Sequence, residues 1–434
     1  MDGAAFVSRL KEAVDGVPLP VIRGTVTMVH EWFAEALLPG AGPGAVVKGR
    51  DGRRLRVAAV NGDTVRMAPL CGPDLKVGDE VMLEEATLTI PCGDGLLSRV
   101  IDPLGRPIDD RGPLKDCENC STRRQAPNPL ARRRVDVPFV TALRVLDGLL
   151  AIGRGQRIGL FAGPGQGKST LLGELVSAAD CDGAVVCLVG ERGREAGEFV
   201  HDILCEAGLS RSVVVLATSD APAALRCAAL ETATSIAEWQ RDQGRHVLLL
   251  VDSLTRVVRA KRDLDAALGQ VAGPSGYPAT AFSALPGLLE RAGCDGTGSI
   301  TGVYTVLTER DGDDPVGQEV QSLLDGHVVL SAARARAGRW PAVDVVRSVS
   351  RVMRNVVDAE HLAAAEKVRA ALAAWDENAD LVLIGAYREG TSREMDAYLR
   401  HRQAIEAFLT QKRGERSALD ETRAALRALA KKLS

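Results

Sequence analysis

Apolar residues change their spacing several times along the chain, and each change marks a different architecture. Phe6, Val7, Leu10 and Val14 recur at helical spacing until Pro18 and Pro20 end the pattern, which predicts a short amphipathic helix, either a partner-binding arm or a frayed tail. From Val21 to about Thr89 the apolar residues fall into short β-type runs: Arg56-Val-Ala-Ala-Val60, Thr64-Val-Arg-Met67 and Glu80-Val-Met-Leu83. Turns such as Lys48-Gly-Arg-Asp-Gly52 and Asn61-Gly-Asp63 separate them, so this region reads as a small β-barrel. The next stretch, Leu97 to Leu114, is dense in proline and glycine and reads as a connector hairpin.

Further on, continuous apolar runs replace short ones. Ala184–Gly190, Ser212–Leu216, His246–Asp252 and Gly302–Leu307 read as strands buried on both faces, with helical stretches between them, notably Ala221 to Gln240. Alternating strands and helices imply a parallel sheet with crossover helices. Beyond about Asp358 the strands stop. Leu362, Ala365, Val368, Leu372 and Trp375 share one helix face, Met395, Tyr398, Leu399, Ile405 and Phe408 make others, and Glu415 to Ser434 is a charged amphipathic helix. Its stripe of Leu419, Leu426, Leu429 and Leu433 is expected to pack on its own domain. The expected division is residues 1–90 with the barrel, 91–357 with the α/β core, and 358–434 with the helices.

Composition narrows the field. With 434 residues there is room for two or three domains. Net charge is −3 and aromatics are 3%, so neither a basic field nor stacking platforms favour nucleic acid as a partner. No apolar run reaches the roughly 20 residues of a membrane helix, and no export signal is visible, which makes the cytoplasm the expected compartment. Nine cysteines, an odd number without a secretion signal, point to reduced thiols. Cys117 and Cys120 have metal-like spacing, but no second pair or nearby histidine completes a zinc set, so a loop with two thiols is expected.

The chemistry concentrates in Arg157 to Leu172, where an apolar strand runs into a glycine-rich turn and then a helix. Ala162-Gly-Pro-Gly-Gln-Gly-Lys-Ser fits a phosphate-binding loop, with alanine where glycine is commoner in the first position. Gly163, Gly165 and Gly167 leave room for backbone N–H groups to surround a polyphosphate. Lys168 is expected on the β- and γ-phosphates, Ser169 on Mg²⁺, and the helix that opens with Ser169 and Thr170 presents its positive end to the anion. Asp252, after four apolar strand residues, supplies the second acid near Mg²⁺. Glu191, at another strand end, is placed to orient and polarise an attacking water.

These residues carry a family resemblance. Ala162-Gly-Pro-Gly-Gln-Gly-Lys-Ser-Thr, Val189-Gly-Glu-Arg-Gly-Arg-Glu, Leu250-Val-Asp-Ser-Leu-Thr-Arg, Gly276-Tyr-Pro-Ala, Tyr304-Thr-Val-Leu, Leu324-Asp-Gly-His and Ser348-Val-Ser-Arg351, in that order, resemble the type III secretion ATPases. That family covers injectisome and flagellar export ATPases and is similar to the catalytic subunits of rotary ATP synthases. The resemblance implies a RecA-like P-loop NTPase core between an N-terminal β-barrel and a C-terminal helical domain. It also implies a homo-hexamer with ATP and Mg²⁺ bound between subunits. Residue by residue, it puts Lys168 and Ser169 on phosphate and Mg²⁺, Glu191 as the catalytic carboxylate, Arg192 on the γ-phosphate side and Asp252 as the Walker B acid. Arg351 falls where the family places an arginine finger for the neighbouring subunit. Trp340 falls where the family has a tyrosine beside the adenine, and thus keeps a stacking role. The implied partners are stator and central-stalk proteins, chaperone–substrate complexes and the export gate at the inner membrane, with which the ring associates peripherally.

Departures from the family pattern are local. Leu330-Ser-Ala-Ala-Arg-Ala-Arg336 stands where relatives commonly read Leu-Ser-Arg-x-Leu-Ala-Glu, which bears on subunit contacts; Val257 replaces an aromatic and Gln270 a glutamate, both outside the catalytic set. Lys-Ser-Thr-Leu-Leu172 and Asp147-Gly-Leu-Leu lean toward the injectisome branch, while Gly153-Arg-Gly-Gln-Arg and Ile384-Gly-Ala-Tyr lean flagellar; the balance favours the injectisome. Two other classes compete. An RNA-translocating hexameric ATPase shares the fold but fits poorly with the charge and aromatic content. A non-catalytic nucleotide-binding ring subunit fits poorly with Glu191 and Lys168 both present.

Overall fold

The structure, a computed structural model, describes residues 21–72, 75–273, 275–308 and 314–433. The helix expected at Phe6–Val14 lies outside them. The chain divides into two compact units, Met1–Leu88 and Thr89–Ser434.

In the first unit six strands close into an antiparallel barrel: β1 (Arg23–Val29), β2 (Ala34–Leu37), β3 (Val46–Gly49), β4 (Arg54–Asn61), β5 (Thr64–Pro69) and β6 (Glu80–Glu85), in the order β1-β2-β5-β4-β3-β6. Alternation decides which side chains face inward. Leu55 and Val57 of β4 are buried while Arg54 and Arg56 between them are not, and Val26, Val65, Met67 and Val81 complete the interior. Register shifts in β1 and β4 bend these strands, as closing so small a barrel requires.

The second unit is built on a nine-stranded sheet. Its main path uses β7 (Val100–Ile101), β8 (Arg157–Ala162), β9 (Gly183–Glu191), β10 (Ser212–Thr218), β11 (His246–Asp252), β12 (Ser299–Leu307), β13 (Gly326–Leu330) and β14 (Val343–Ser350), in the order β14-β13-β8-β12-β11-β9-β10-β7. All neighbours on this path are parallel except β13 and β14. The central strands are buried on both faces, which is why Val247–Val251 is unbroken aliphatic chain. The expected connector is partly a strand: Val100 and Ile101 pair with Val214 and Val215 at the sheet edge, and Ile101 also bridges to Pro107.

The helices that matter for the site are α1 (Arg144–Leu149), α2 (Lys168–Ala178), α3 (Ala223–Asp242), α4 (Leu254–Ala267), α5 (Ala332–Arg336), α6 (Ala359–Leu383), α7 (Arg393–Leu409) and α8 (Leu419–Lys432). Leu171, Leu175, Leu250, Val368, Ile405, Phe408 and Leu426 belong to one continuous core, so the helical end packs against the sheet's own hydrophobic layer. The stripe on α8 does pack on its own unit, with Leu426, Leu429 and Leu433 buried and Leu419 partly so. Leu399 is the exception on α7 and is exposed. Cys117 and Cys120 are free thiols at a short strand, Glu118–Ser121.

Where α1 meets the terminal helices, the interior holds a carboxyl. Asp147 accepts hydrogen bonds from the Thr141 N–H (2.9 Å) and hydroxyl (2.7 Å), yet burial pushes its pKa up to about 6. A carboxyl raised in this way takes up a proton on folding. Its ionisation cost is absent below its ordinary pKa near 3.8 and fully present above about 6, amounting to about 3 kcal/mol. The stability of Asp147→Asn relative to the native chain is therefore expected to improve by about that amount between pH 4 and pH 7.5 in denaturant melts. A difference that does not change with pH would show that Asp147 ionises normally.

Candidate active site

The phosphate loop is where β8 ends and α2 begins. Gly165 and Gly167 have φ of 71° and 81°, a left-handed backbone that other residues adopt only with strain. At Gly167 space forbids a side chain as well: a Cβ there would lie 2.1 Å from the Trp340 ring. The indole is thus laid directly against the loop. Gln166 folds back so that its side-chain oxygen accepts the Gly163 N–H at 2.9 Å. Ser169 and Thr170 sit in the first turn of α2, partly buried.

Two strand ends meet the loop and supply charge. Asp252 closes β11, and its Oδ1 takes the Lys168 ammonium at 2.6 Å and the Thr305 hydroxyl at 2.7 Å. Glu191 closes β9, with Oε1 3.6 Å from Lys168 Nζ and Oε2 2.8 Å from the Arg256 guanidinium. Arg256, in the first turn of α4, also donates to the Gly190 carbonyl, and the Ser253 side chain caps that helix. Burial drives the Glu191 pKa up and the Asp252 charge adds to it, while Lys168 and Arg256 oppose the rise. A carboxylate held in a cleft near a cation, with its basicity raised, suits proton transfer or water activation.

Lys168, Asp252 and Glu191, all expected from the sequence, therefore come together in one cluster at the carboxyl ends of parallel strands, the usual ligand position in such sheets. Arg192 follows Glu191 but points outward, 79% exposed and paired with Glu195. Arg351 is exposed and far off: its N–H bonds the Asp325 carbonyl, and Asp325 in turn binds Arg157 at the opening residue of β8. It lies at the opposite end of the sheet from the phosphate loop, so it has no same-chain route to Lys168.

Arg256 and Thr305 are functional residues that local sequence reasoning missed. Thr305 had no distinct signal, since its strand also carries Ser299 and Thr301; Arg256 lies four residues after Asp252, one helical turn into the next element. The departure at Arg334 is also explained. Arg334 pairs with Glu406 of α7 at 3.3 Å, beside an Arg339–Glu406 contact of 2.8 Å, so a charge in place of an apolar residue ties α5 to the C-terminal helices. Arg336 lines a cleft of about 740 Å³ beside Gly163–Gln166.

A bound Mg²⁺ fits this donor set. Ser169 and Asp252 offer hard oxygens, and among the described residues no group of three or more His, Cys, Asp or Glu is arranged to hold a metal on its own. The ion would share its coordination with phosphate and water.

A phosphate loop, a Lys–Asp–Glu cluster and a buried parallel sheet following a barrel define a nucleotide-hydrolysing P-loop protein. Residues 142–350 match the ATP synthase alpha/beta family nucleotide-binding domain, and residues 357–428 match the T3SS EscN ATPase C-terminal domain. The flagellum-specific ATP synthase of Treponema pallidum is 43% identical, covering 92% of this chain and 91% of its own. The type 3 secretion system ATPase of Xanthomonas euvesicatoria is also 43% identical, covering 86% of each. The assembled ATPase EscN in complex with its central stalk EscO, from the enteropathogenic E. coli type III secretion system, superposes with a TM-score of 0.87 at 41% identity, covering 94% of this chain and all of that one. The chain belongs to the type III secretion ATPase family, and it is an ATP-hydrolysing enzyme.

If Glu191 activates water while Lys168 holds phosphate, their substitutions separate. Glu191→Gln is expected to keep ATP binding within about threefold while turnover falls by about a hundredfold or more, read by nucleotide titration and phosphate release. An unchanged turnover would remove Glu191 from the reaction.

Proposed function

We propose that this chain is the ATP-driven motor of a type III protein secretion apparatus, working as a homo-hexamer with Mg²⁺–ATP between subunits. Lys168 clasped by Asp252 and Glu191 at the mouth of the phosphate loop is the observation that carries the reading. Lys168 and the N–H groups from Gly165 to Thr170 bind the triphosphate. Ser169 and Asp252 would hold Mg²⁺, whose charge offsets that of the transferring phosphoryl group. Glu191, aligned by Arg256, accepts a hydrogen bond from the attacking water and takes up its proton. Arg192, which points outward beside Glu195, turns in to the γ-phosphate side when nucleotide binds, and Trp340, already against the loop at Gly167, provides the adenine platform. Arg351 acts on the next subunit's site, which agrees with its distance from Lys168 in its own chain.

The work done with this energy is chaperone release, unfolding and export of secreted proteins. Residues 1–90, 91–357 and 358–434 are the chain's barrel region, RecA-like ATPase domain and C-terminal helical domain. The partners are central-stalk and stator proteins, chaperone–substrate complexes and an export gate, reached from the cytoplasmic side of the inner membrane. The stalk assignment is supported by the EscN–EscO complex. No helix among the described residues is long and apolar enough to cross a membrane.

Injectisome and flagellar relatives match equally well, so the branch is a matter for experiment. Co-purification with the Glu191→Gln form from its native cells, in ATP and Mg²⁺, is expected to recover injectisome effectors or their chaperones. Recovery of flagellar rod, hook or filament proteins would move the assignment to flagellar export. RNA-stimulated hydrolysis would instead support a nucleic-acid translocase.

The in-trans finger makes a sharper prediction. Lys168→Ala and Arg351→Ala chains are each expected to be inactive, yet an equimolar mixture should recover about a quarter of the native rate, because about a quarter of random interfaces combine intact Lys168 with a neighbour's intact Arg351. No recovery, in rings shown by mass to be mixed, would place Arg351 outside the neighbour's site.

A further inference from the structure

The turn between α7 and α8, residues 410–418, lies in none of the seven motifs, yet it touches both the main chain of Trp340 and the phosphate-loop helix α2. Gln411 is its centre, 2% exposed. Its N–H donates to the Trp340 carbonyl at 2.7 Å. Its side-chain oxygen accepts the Arg144 N–H at 2.5 Å, and its side-chain nitrogen donates to the carbonyls of Ala142 and Glu415, both at 3.1 Å. Arg144 returns the contact, pairing with Glu415 at 2.6 Å and with the Thr410 carbonyl at 2.6 Å. A buried amide with all its polar atoms engaged is a rigid bracket, since leaving any of them unpaired is costly.

The other end of the turn grips the phosphate-loop helix. The Gly414 N–H donates to Glu174 of α2 at 2.9 Å, and Arg416 donates to the Ser177 carbonyl near the end of α2 at 3.2 Å. Arg413 reaches the Asp202 carbonyl, in the segment that follows the Glu191 strand, at 3.4 Å. The turn therefore joins the main chain under Trp340 to the helix that starts at Lys168.

The geometry points to Gln411 as a positioning residue for the nucleotide: its side chain, pinned to Arg144, Ala142 and Glu415, sets the main chain whose N–H holds the Trp340 carbonyl, and so fixes the indole against the loop where the base is received. This inference rests on the reading of Trp340 as the base platform. Gln411 touches no reacting atom. Its loss acts on recognition of the base and leaves phosphoryl transfer alone.

The test uses the full-length ring at saturating protein concentration, comparing the native chain with Trp340→Ala, Gln411→Ala and the double variant. Gln411→Ala is expected to raise KM for ATP about fivefold to tenfold with kcat kept within about twofold, the size of one lost buried hydrogen-bond network member. The double variant should be no worse than Trp340→Ala, because both changes break one device. Inhibition by inorganic triphosphate, which has no base, should be unchanged. Factors that multiply in the double variant, a fall in kcat at constant KM, or weaker triphosphate inhibition by the same factor would each overturn the role of Gln411. An unchanged KM in Trp340→Ala alone would sink the platform reading itself, and the inference with it. If Gln411→Ala does not fold, Gln411→Met, which keeps the length and volume of the side chain without its hydrogen bonds, carries the same comparison with a KM increase of about fivefold expected.

Discussion

Two carboxylates at the carboxyl ends of neighbouring buried strands cannot both be charged without a cation between them. Lys168 is that cation, 2.6 Å from Asp252 and 3.6 Å from Glu191. Much of the local architecture serves this triad. The parallel register brings β9 and β11 to one end, the left-handed glycines let the loop turn sharply enough to deliver Lys168, and Arg256 supplies a second positive group to Glu191. Because the cluster is shielded from water, each charge weighs more than it would on the surface. An arriving triphosphate therefore enters a site whose cation is already balanced, and it competes with the two acids for the same ammonium.

That competition separates the acids by role. Asp252 is fixed by Thr305 as well as Lys168 and stays anchored to the sheet. Glu191 sits farther from the lysine and leans on Arg256, so it is the carboxylate with freedom to accept a proton. Its basicity is raised mainly by burial, the same cause that raises Asp147 in the core. At Glu191 the desolvation is opposed by cations. At Asp147 only hydrogen bonds oppose it.

How much of this could be read from residues alone depends on range. The phosphate loop is legible because turn chemistry is local: Gly165 and Gly167 adopt the backbone that only glycine takes easily, and an apolar run before them and a helix after them are written in adjacent residues. Asp252 and Glu191 are legible as strand ends. The strands themselves were found by their unbroken aliphatic runs, with boundaries short by one to three residues, as at β9 and β12. Pairings across the sheet were not legible. Thr305 meets Asp252 because β12 lies beside β11, and Arg334 meets Glu406 because α7 folds back over α5, neither of which any local period encodes. Pro- and Gly-rich Leu97–Leu114 hid the edge strand β7 for a similar reason: its two residues are strand only because β10 is there to pair with them.

The edge strand β14, antiparallel to β13, couples two places. It runs from Val343, just after Trp340, to Ser350, just before Arg351, but its ends pair with Leu330 and Gly326 of β13, so β14 bulges between Asp344 and Val349 and its ends lie only about 13 Å apart at the usual strand rise. On the proposed assignments, one end of this strut attends to the chain's own base and the other to the next chain's phosphate. Ser348 closes the bulge, its hydroxyl accepting the Val329 N–H and donating to the Asp344 carbonyl, so the two ends are tied through one buried side chain. Each subunit's grip on its own nucleotide and its reach into its neighbour would then be coupled through that bulge.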